Sequence, residues 1–460
     1  MVRVFSHWLS PRKAAFFVAE EAVLVLALLA GASIAPVAHP WVTAEEGLAR
    51  AFIRAAITAA AFGGALYFGD LYDLRAAAAD RADGRKLLRA LGVAMLTMAV
   101  AYLVLPLVLP LGVLARRSLV LAEAGGAFAV ILVRAVMPAV VGSPVRVLFL
   151  GSGARARQLA RDVEADADGL FDVVGFRDAG TPREGPSLAL AGPLSDLVRR
   201  LKVQVLVVAV EDRRVGLPVH ELLACRTRGV RVMSDVAFAE ATMKRIPLEL
   251  VRPSAFIFDD GFSRSAVGTF IKRAGDVAVA LVIIVVLSPL MALAALAILI
   301  SDGRPIFYSQ ERIGRDGQPY RIWKFRTMRR DAEKLGAVFA KNGDPRVLRV
   351  GRFFRRSRID ELPQLWNVLR GDMSMVGPRP ERPEFLQQLK ERYPLFAMRE
   401  LVQPGLTGWA QLKYGYGSTL EEMGRKLEFD LYYIKNTSMF LDAVCLFHTA
   451  KVVLTGRGAR

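Results

Sequence analysis

Apolar positions along this chain fall into three regimes. In the first they are continuous: residues 14–37, 51–68, 87–109 and 119–137 form four long apolar stretches separated by polar segments. At about 1.5 Å of rise per residue each can cross roughly 30 Å of hydrocarbon, which predicts a membrane α-helical bundle over residues 1–140. In the second regime, residues 141–260, short β runs at 145–150, 173–176, 203–210 and 230–233 alternate with helical patterns. That alternation predicts a Rossmann-like α/β domain with a parallel sheet. The third regime, residues 268–460, opens on 24 uncharged residues at 277–300 and continues as mixed apolar and charged segments. It predicts a mainly α-helical, membrane-associated domain.

Loop charge orients the first regime. Arg3, Arg12 and Lys13 precede the first stretch, residues 38–47 hold Glu45 and Glu46 without Lys or Arg, and the next loop carries Arg75, Arg81, Arg85, Lys86 and Arg89. The N-terminus is thereby cytoplasmic, although Arg116 and Arg117 run against this orientation, and four crossings return the chain to the same side. The first stretch lacks a clear small-residue cleavage site and is followed by three like it, so it reads as a helix and not a signal peptide. Glu20, Glu21, Glu123 and Arg134 lie in or near these helices, where packing inside the bundle or snorkelling at its ends explains them without chemistry.

Composition agrees with a chain divided between membrane and cytosol: 53% of the 460 residues are hydrophobic and 23% are charged. The net charge of +18 asks for anionic company, and residues 304–379 hold 18 Lys or Arg against 8 Asp or Glu. A phosphate-handling site is expected there. Two distant cysteines, Cys225 and Cys445, and four scattered histidines exclude a disulfide scaffold and argue against a zinc cluster.

In the middle domain the first strand runs into Gly151-Ser-Gly153-Ala-Arg-Ala-Arg157, a glycine turn opening a helix, as at the start of a dinucleotide fingerprint. The third glycine is replaced by Ala156, and no acidic residue clearly closes the second strand. Gly151 and Gly153 either cradle a nucleotide phosphate at a helix N-terminus or simply permit a tight turn.

The uncharged segment at 277–300 is interrupted at its centre by Ser288 and Pro289. Proline removes a backbone donor and crowds the preceding turn, and the serine hydroxyl can bond the carbonyl so freed. The segment, 276–301, reads either as a kinked spanning helix or as a re-entrant helix that leaves by the face it entered. Lys272, Arg273 and Arg304 flank it and are expected to meet anionic headgroups.

Four blocks follow: Gln310-Glu-Arg-Ile-Gly-Arg-Asp-Gly317, Trp323-Lys-Phe-Arg-Thr-Met328, Arg355-Arg-Ser-Arg-Ile-Asp-Glu-Leu-Pro-Gln-Leu365 and Gly371-Asp-Met-Ser-Met-Val-Gly-Pro-Arg-Pro380. Asp360 and Glu361 precede a segment in which Leu362, Leu365, Trp366 and Leu369 share a helical face and Gly371 supplies a stop. Two carboxylates at a helix N-terminus under Arg355, Arg356 and Arg358 can bind a metal, relay a proton or attack phosphorus; a helix cap with a first-turn charge is the plainer alternative. With the Ser-Pro break, these blocks resemble the catalytic domain of the bacterial sugar transferases, the monotopic phosphoglycosyl transferases that begin polysaccharide assembly on undecaprenyl phosphate. The likeness runs from Lys272 to Arg460, and the two preceding regions resemble the larger members of that family. Glu428-Phe-Asp-Leu-Tyr-Tyr-Ile434 and Gly456-Arg-Gly-Ala-Arg460 resemble its exopolysaccharide-type members.

The resemblance implies a re-entrant helix and a catalytic domain on the cytoplasmic face of a bacterial inner membrane. It implies that Asp360 attacks the β-phosphorus of a UDP-sugar, UDP-glucose or UDP-galactose, releasing UMP and leaving a phosphosugar on the carboxylate. Undecaprenyl phosphate then takes the phosphosugar in a ping-pong cycle. Glu361 is the implied Mg²⁺ ligand, Lys324, Arg355 and Arg379 the implied phosphate-binding residues, Asp430 a further candidate, and a homodimer the assembly suggested by larger relatives. Gly377-Pro-Arg-Pro380 would hold Arg379 rigidly between two prolines. Trp409 is expected at the membrane interface by default, or else against a base or sugar, and an amphipathic segment at 382–401 is expected at the interface. Competing readings are a nucleotide-dependent oxidoreductase or sugar-modifying enzyme centred on the glycine turn, which would call for a full fingerprint and a Tyr and Lys pair, and a non-catalytic membrane scaffold indifferent to loss of Asp360. Nucleic acid is disfavoured as a partner because the basic residues surround acidic and apolar blocks.

Overall fold

The computed structural model describes residues 2–4, 7–9, 11–34, 45–68, 87–97, 125–134, 144–166, 170–178, 193–210, 217–251, 265–330, 346–414 and 419–455. Glu123, Arg75, Arg81, Arg85, Lys86, Arg116, Arg117 and residues 456–460 lie outside them. The chain divides into two compact units, the boundary falling between Asp235 and Val236.

The N-terminal unit begins with α1 (Pro11–Ile34) and α2 (Glu45–Phe68), followed by α3 (Leu87–Thr97) and α4 (Gly125–Arg134). Leu24, Phe62, Leu66, Leu91 and Val130 form their shared core. Glu20, buried among them, pairs with Arg134 at 2.7 Å, so its buried charge is neutralised helix to helix. The expected third and fourth apolar stretches are described only as α3 and α4; their remaining residues fall outside the described set.

A four-stranded parallel sheet follows, built from β1 (Val145–Leu150), β2 (Phe171–Arg177), β3 (Val205–Val208) and β4 (Arg231–Ser234) in the order β2-β1-β3-β4. Helices α5 (Ala154–Asp166), α6 (Leu194–Arg200) and α7 (Val219–Thr227) make the connections, and Leu148, Leu150, Leu206, Leu194 and Leu222 fill the space between sheet and helix. At the end of β1, Gly151 adopts φ +114°, and a Cβ there would lie 2.5 Å from the carbonyl oxygen of Ala209. Only glycine fits that approach.

The C-terminal unit takes α8 (Asp235–Met243) from Val236 onward together with residues 244–251, which the sequence pattern had grouped with the sheet up to 260. The packing explains the difference. Ile246 lies in the C-terminal core, Arg245 pairs with Glu428 at 2.9 Å, and Glu240 accepts hydrogen bonds from Lys435 and Asn436.

Helix α9 (Ala266–Asp302) is, among the described residues, the one long and apolar enough to cross a membrane. Ser265 caps it, its hydroxyl accepting from the Gly268 N–H at 3.0 Å. At its centre the Ser288 hydroxyl donates to the Val285 carbonyl at 2.9 Å, the carbonyl that Pro289 leaves without an i→i−4 donor. Val282, Val285, Val286, Leu293 and Ile300 point outward and exposed. On either side of the proline α9 packs against its own unit: Val279, Ala280, Ile283 and Ile284 on the main core, Met291, Ala294 and Ile298 on Phe325, Phe354 and Ile359.

Two of the three flanking basic residues, Lys272 and Arg273, face inward, contrary to expectation, while Arg304 is exposed. Lys272 lies within 2.9 Å of both Asp276 and Asp442 and donates to the Ser374 hydroxyl, whereas Arg273 donates to the carbonyls of Val368 and Leu369. Arg326 similarly holds the last carbonyls of α9, those of Asp302 and Gly303. Buried carboxylates and helix C-termini hold these cations more firmly than headgroups would.

The remaining elements are the hairpin β5 (Phe307–Ile313) and β6 (Pro319–Phe325), α10 (Arg349–Ser357), a 3₁₀ turn Ile359–Glu361, α11 (Gln364–Arg370), the parallel pair β7 (Ser374–Val376) and β8 (Gly405–Thr407), α12 (Pro383–Arg392), a 3₁₀ segment Pro394–Leu401, α13 (Trp409–Lys413), α14 (Leu420–Lys435) and α15 (Met439–Thr455). Helix α14 starts from a reciprocal Thr419 and Glu422 capping box and is buried on all sides from Leu427 to Ile434. Trp409, expected at the membrane interface, is 3% exposed and its indole N–H donates to the Lys244 carbonyl. The amphipathic segment at 382–401 is two pieces, divided at Tyr393 ahead of Pro394, and it buries Leu389 and Phe396 in the core.

Candidate active site

Helix α10 ends at Arg358, whose left-handed conformation (φ +59°) turns the chain into the 3₁₀ turn that carries Asp360 and Glu361. Ile359 anchors this turn in the cluster of Ala294, Ile298, Phe325 and Phe354, so the two carboxylates ride on the second half of α9. Behind them α11 runs to Gly371, which ends it at φ +96°. Its buried face is Gln364, Leu365, Asn367 and Val368, while Trp366 is 57% exposed, a rotation away from the expected apolar face. Asn367 sets that rotation: it accepts from the Trp323 N–H at 3.1 Å and donates to the Arg321 carbonyl at 2.8 Å, fixing α11 against β6.

The adjacent carboxylates have opposite surroundings. Glu361 accepts from Lys324 Nζ at 3.0 Å and Arg379 at 3.2 Å on one oxygen and faces Arg358 at 3.6 Å on the other. Burial works against its ionisation, but Lys324, Arg379 and Arg358 outweigh that and hold it well below the usual carboxylate range. Asp360, 8% exposed, keeps its Oδ1 buried without a hydrogen-bond partner. Burial first and the charge of Glu361 second push its carboxyl up to about 6, against the pull of Lys324, Arg355 and Arg358. Arg355 is steadied by a 2.9 Å hydrogen bond from its Nε to the Thr327 hydroxyl.

The structure therefore brings Asp360, Glu361, Lys324, Arg355 and Arg379 into one site, together with Arg358, which the sequence sets over the two acids without a phosphate-binding role. Asp430 is not among them. It is buried in α14 and ion-paired to Arg399 at 2.9 Å, and Arg399 in turn donates to the Arg379 carbonyl at 2.6 Å. Burial first, opposed by Arg399, raises the Asp430 carboxyl to about 6. Ser288 and Pro289 lie within α9.

Gly151 and Gly153 belong to the N-terminal unit. An acid absent from the sequence reading stands beside them: Asp178 directly follows β2, which runs to Arg177, one residue beyond the expected end. The Ser152 N–H, at 3.1 Å, and the Ser152 hydroxyl both donate to its Oδ1. Arg399, Asn367 and Thr327 were also missed, since no local spacing ties them to the residues they touch.

Four cations around two carboxylates leave an excess of positive charge, suited to phosphate, beside a desolvated carboxylate oxygen suited to nucleophilic attack. Residues 267–456 match the family described as bacterial sugar transferase. Over 196 residues the chain is 45% identical to the UDP-N-acetylgalactosamine-undecaprenyl-phosphate N-acetylgalactosaminephosphotransferase of Aeromonas hydrophila, covering 43% of this chain and 46% of that protein. It is 36% identical over 287 residues, 61% of each chain, to the UDP-glucose:undecaprenyl-phosphate glucose-1-phosphate transferase of Escherichia coli. A relative of the same description from Caulobacter vibrioides is 41% identical over 186 residues, 40% of this chain and 70% of that protein. The chain thus spans about half to three fifths of the length of the first two relatives. With the carboxylate pair, its basic neighbours and the apolar helix α9 nearly all inside the matched span, the chain belongs to the bacterial sugar transferase family.

Proposed function

We propose that the chain transfers a sugar 1-phosphate from a UDP-sugar to undecaprenyl phosphate, releasing UMP, as the first membrane step of exopolysaccharide assembly. The observation that carries this reading is the unpartnered, buried Asp360 oxygen amid Lys324, Arg355, Arg358 and Arg379. Asp360 attacks the β-phosphorus of the donor. The bond from that phosphorus to the bridging oxygen breaks, UMP departs with the oxygen, and the sugar phosphate remains as a mixed anhydride on Asp360. A phosphate oxygen of the lipid then attacks the same phosphorus, a diphosphate linkage forms and the carboxylate is regenerated. As the donor phosphates claim Lys324 and Arg379, Glu361 is freed from part of its ion-pair network.

The donor set fits Mg²⁺: two adjacent carboxylates, one with an orphaned oxygen, suit an ion that keeps water and takes phosphate oxygens. Among the described residues no larger group of His, Cys, Asp and Glu joins them. Glu361, with Asp360 beside it, would hold the ion, which when bound offsets charge on the diphosphate.

The re-entrant reading of residues 276–301 is supported by two facts. Polar contacts from one unit hold both ends of α9, at Lys272 and Arg273 and at the Asp302 carbonyl, whereas a spanning helix would separate its ends by roughly 30 Å of hydrocarbon. Ser288 also satisfies the carbonyl that Pro289 orphans. The reading includes a multi-pass location in the bacterial inner membrane with the C-terminal unit on the cytoplasmic face. Packing of Ile359 on α9 favours delivery of the lipid phosphate to Asp360.

The test is UMP release by the full chain in detergent, with Mg²⁺ and undecaprenyl phosphate, from UDP-glucose, UDP-galactose and UDP-N-acetylgalactosamine. Release from one sugar is expected. It should stop on chelation and return with added Mg²⁺. No release from any sugar by folded protein would overturn the reading.

A further inference from the structure

Arg379 reaches Glu361 from a loop with almost no regular structure of its own. Prolines 378 and 380 fix their φ angles but bring no N–H, so the loop cannot hold itself by a backbone ladder. Its carbonyls are held from outside. The Pro378 carbonyl accepts from the Gly405 N–H at 2.9 Å and the Glu381 carbonyl from the Ile313 N–H at 3.3 Å. Between them the Arg379 carbonyl accepts from Arg399 at 2.6 Å and the Pro380 carbonyl from Arg312 at 3.2 Å. Four successive carbonyls are thus tied to three different segments, and the two central ties come from guanidinium groups.

Those arginines are themselves braced. Arg399 is ion-paired to Asp430 at 2.9 Å, faces Glu381 at 3.7 Å and lies over the Phe396 ring at 4.5 Å. Arg312 donates to the Gln310 amide oxygen at 2.8 Å, and its Nε is buried without a partner. Arg312 is bound by neutral acceptors, a poor way to gain stability, because the ion loses its hydration for dipoles. A planar fork spanning fixed acceptors is, however, an effective way to fix a backbone.

We propose that Arg399, anchored by Asp430, and Arg312 are positioning residues that hold the backbone of the 378–381 loop so that the Arg379 guanidinium stands over Glu361, ready for the donor diphosphate. This assigns the Gln310-Glu-Arg312 block and Asp430 a common task, and it rests on Arg379 binding donor phosphate in the reaction above. The fork geometry is essential. Lysine at 399 or 312 keeps the charge but cannot reach both of the acceptors its arginine holds.

The experiment is a double-mutant cycle on the full chain in detergent, with inorganic pyrophosphate as probe and UMP release measured alongside. Arg379→Ala and Arg399→Lys are each expected to weaken pyrophosphate binding by roughly tenfold to a hundredfold. Their combination should bind no more weakly than Arg379→Ala alone, because the clamp acts only through Arg379. A loss of general structure would instead add to the Arg379→Ala loss. Additive losses, wild-type binding by Arg399→Lys, or no pyrophosphate binding by the wild type would each overturn the proposal. If Arg399→Lys does not fold, Arg312→Lys runs the same cycle with the same criteria. Coupled losses in a protein that releases no UMP would sustain the clamp and overturn the reaction.

Discussion

Two turns in this chain set an acid beside the start of a helix, and they use it in opposite ways. In the glycine turn, both donors of Ser152 converge on one oxygen of Asp178, just ahead of α5. The acid is spent on closing the turn. In the 3₁₀ turn ahead of α11, Lys324, Arg355, Arg358 and Arg379 outnumber Asp360 and Glu361, and an Asp360 oxygen is left without a donor. A site poised for a ligand is one whose internal partners do not cancel, and only the second turn meets that condition.

The strongest way to break the contrast is to neutralise each acid in turn. Asp360→Asn is expected to remove UMP release altogether, because an amide cannot form the phosphosugar anhydride. Asp178→Asn should leave UMP release within about twofold of wild type, since an amide oxygen can still accept from Ser152. Equal losses in the two variants would erase the distinction. Glu361→Gln comes next in size. Without the carboxylate, Lys324, Arg358 and Arg379 lose their common counter-charge, and a fall of roughly a hundredfold or more in kcat/KM is expected. Unchanged kinetics would show that Glu361 only caps the turn.

Local chemistry in the sequence carried further than might be expected from such a mixed chain. The Ser288 and Pro289 break is legible because its consequence, an orphaned carbonyl at Val285, lies three residues from the hydroxyl that satisfies it. The same holds for the glycine stop of α11 and the adjacency of Asp360 and Glu361. What was not legible is non-local. Only the resemblance points to Lys324 and Arg379, as phosphate-binding residues; that both pair with Glu361, from 37 residues before it and 18 after, no local spacing shows. Asp430 reads as a site acid until Arg399 is seen to stand between it and Arg379. Periodicity reports which face of a helix is apolar, but it is silent on whether Lys272 or Arg273 finds a carboxylate or carbonyl inside before it meets a headgroup. Trp409 failed for the same reason, its indole having found the Lys244 carbonyl in residues the pattern gave to another domain.

A subtler effect sharpens the reading of the second turn. Burial holds the Asp360 carboxyl up to about 6 while nearby cations pull it down, so the attacking carboxylate is lost as pH falls through that region and kcat/KM should fall with it. Arg355→Gln removes one of the lowering charges and must raise the Asp360 pKa, moving the acid limb of the profile to higher pH. A limb that stays put or moves to lower pH would mean that Arg355 does not act on Asp360.

The smallest effect belongs to the first turn. Ser152→Ala deletes the hydroxyl donor to Asp178 and leaves the Ser152 backbone N–H in place. Asp178 is only partly buried and water can replace the lost donor, so the expected cost is about 1 kcal/mol, seen as a lowered unfolding midpoint for the transition of the α/β unit. UMP release should be unchanged. If UMP release falls along with that transition, the glycine turn contributes to turnover, and its closed hydrogen bonding serves the reaction as well as the fold.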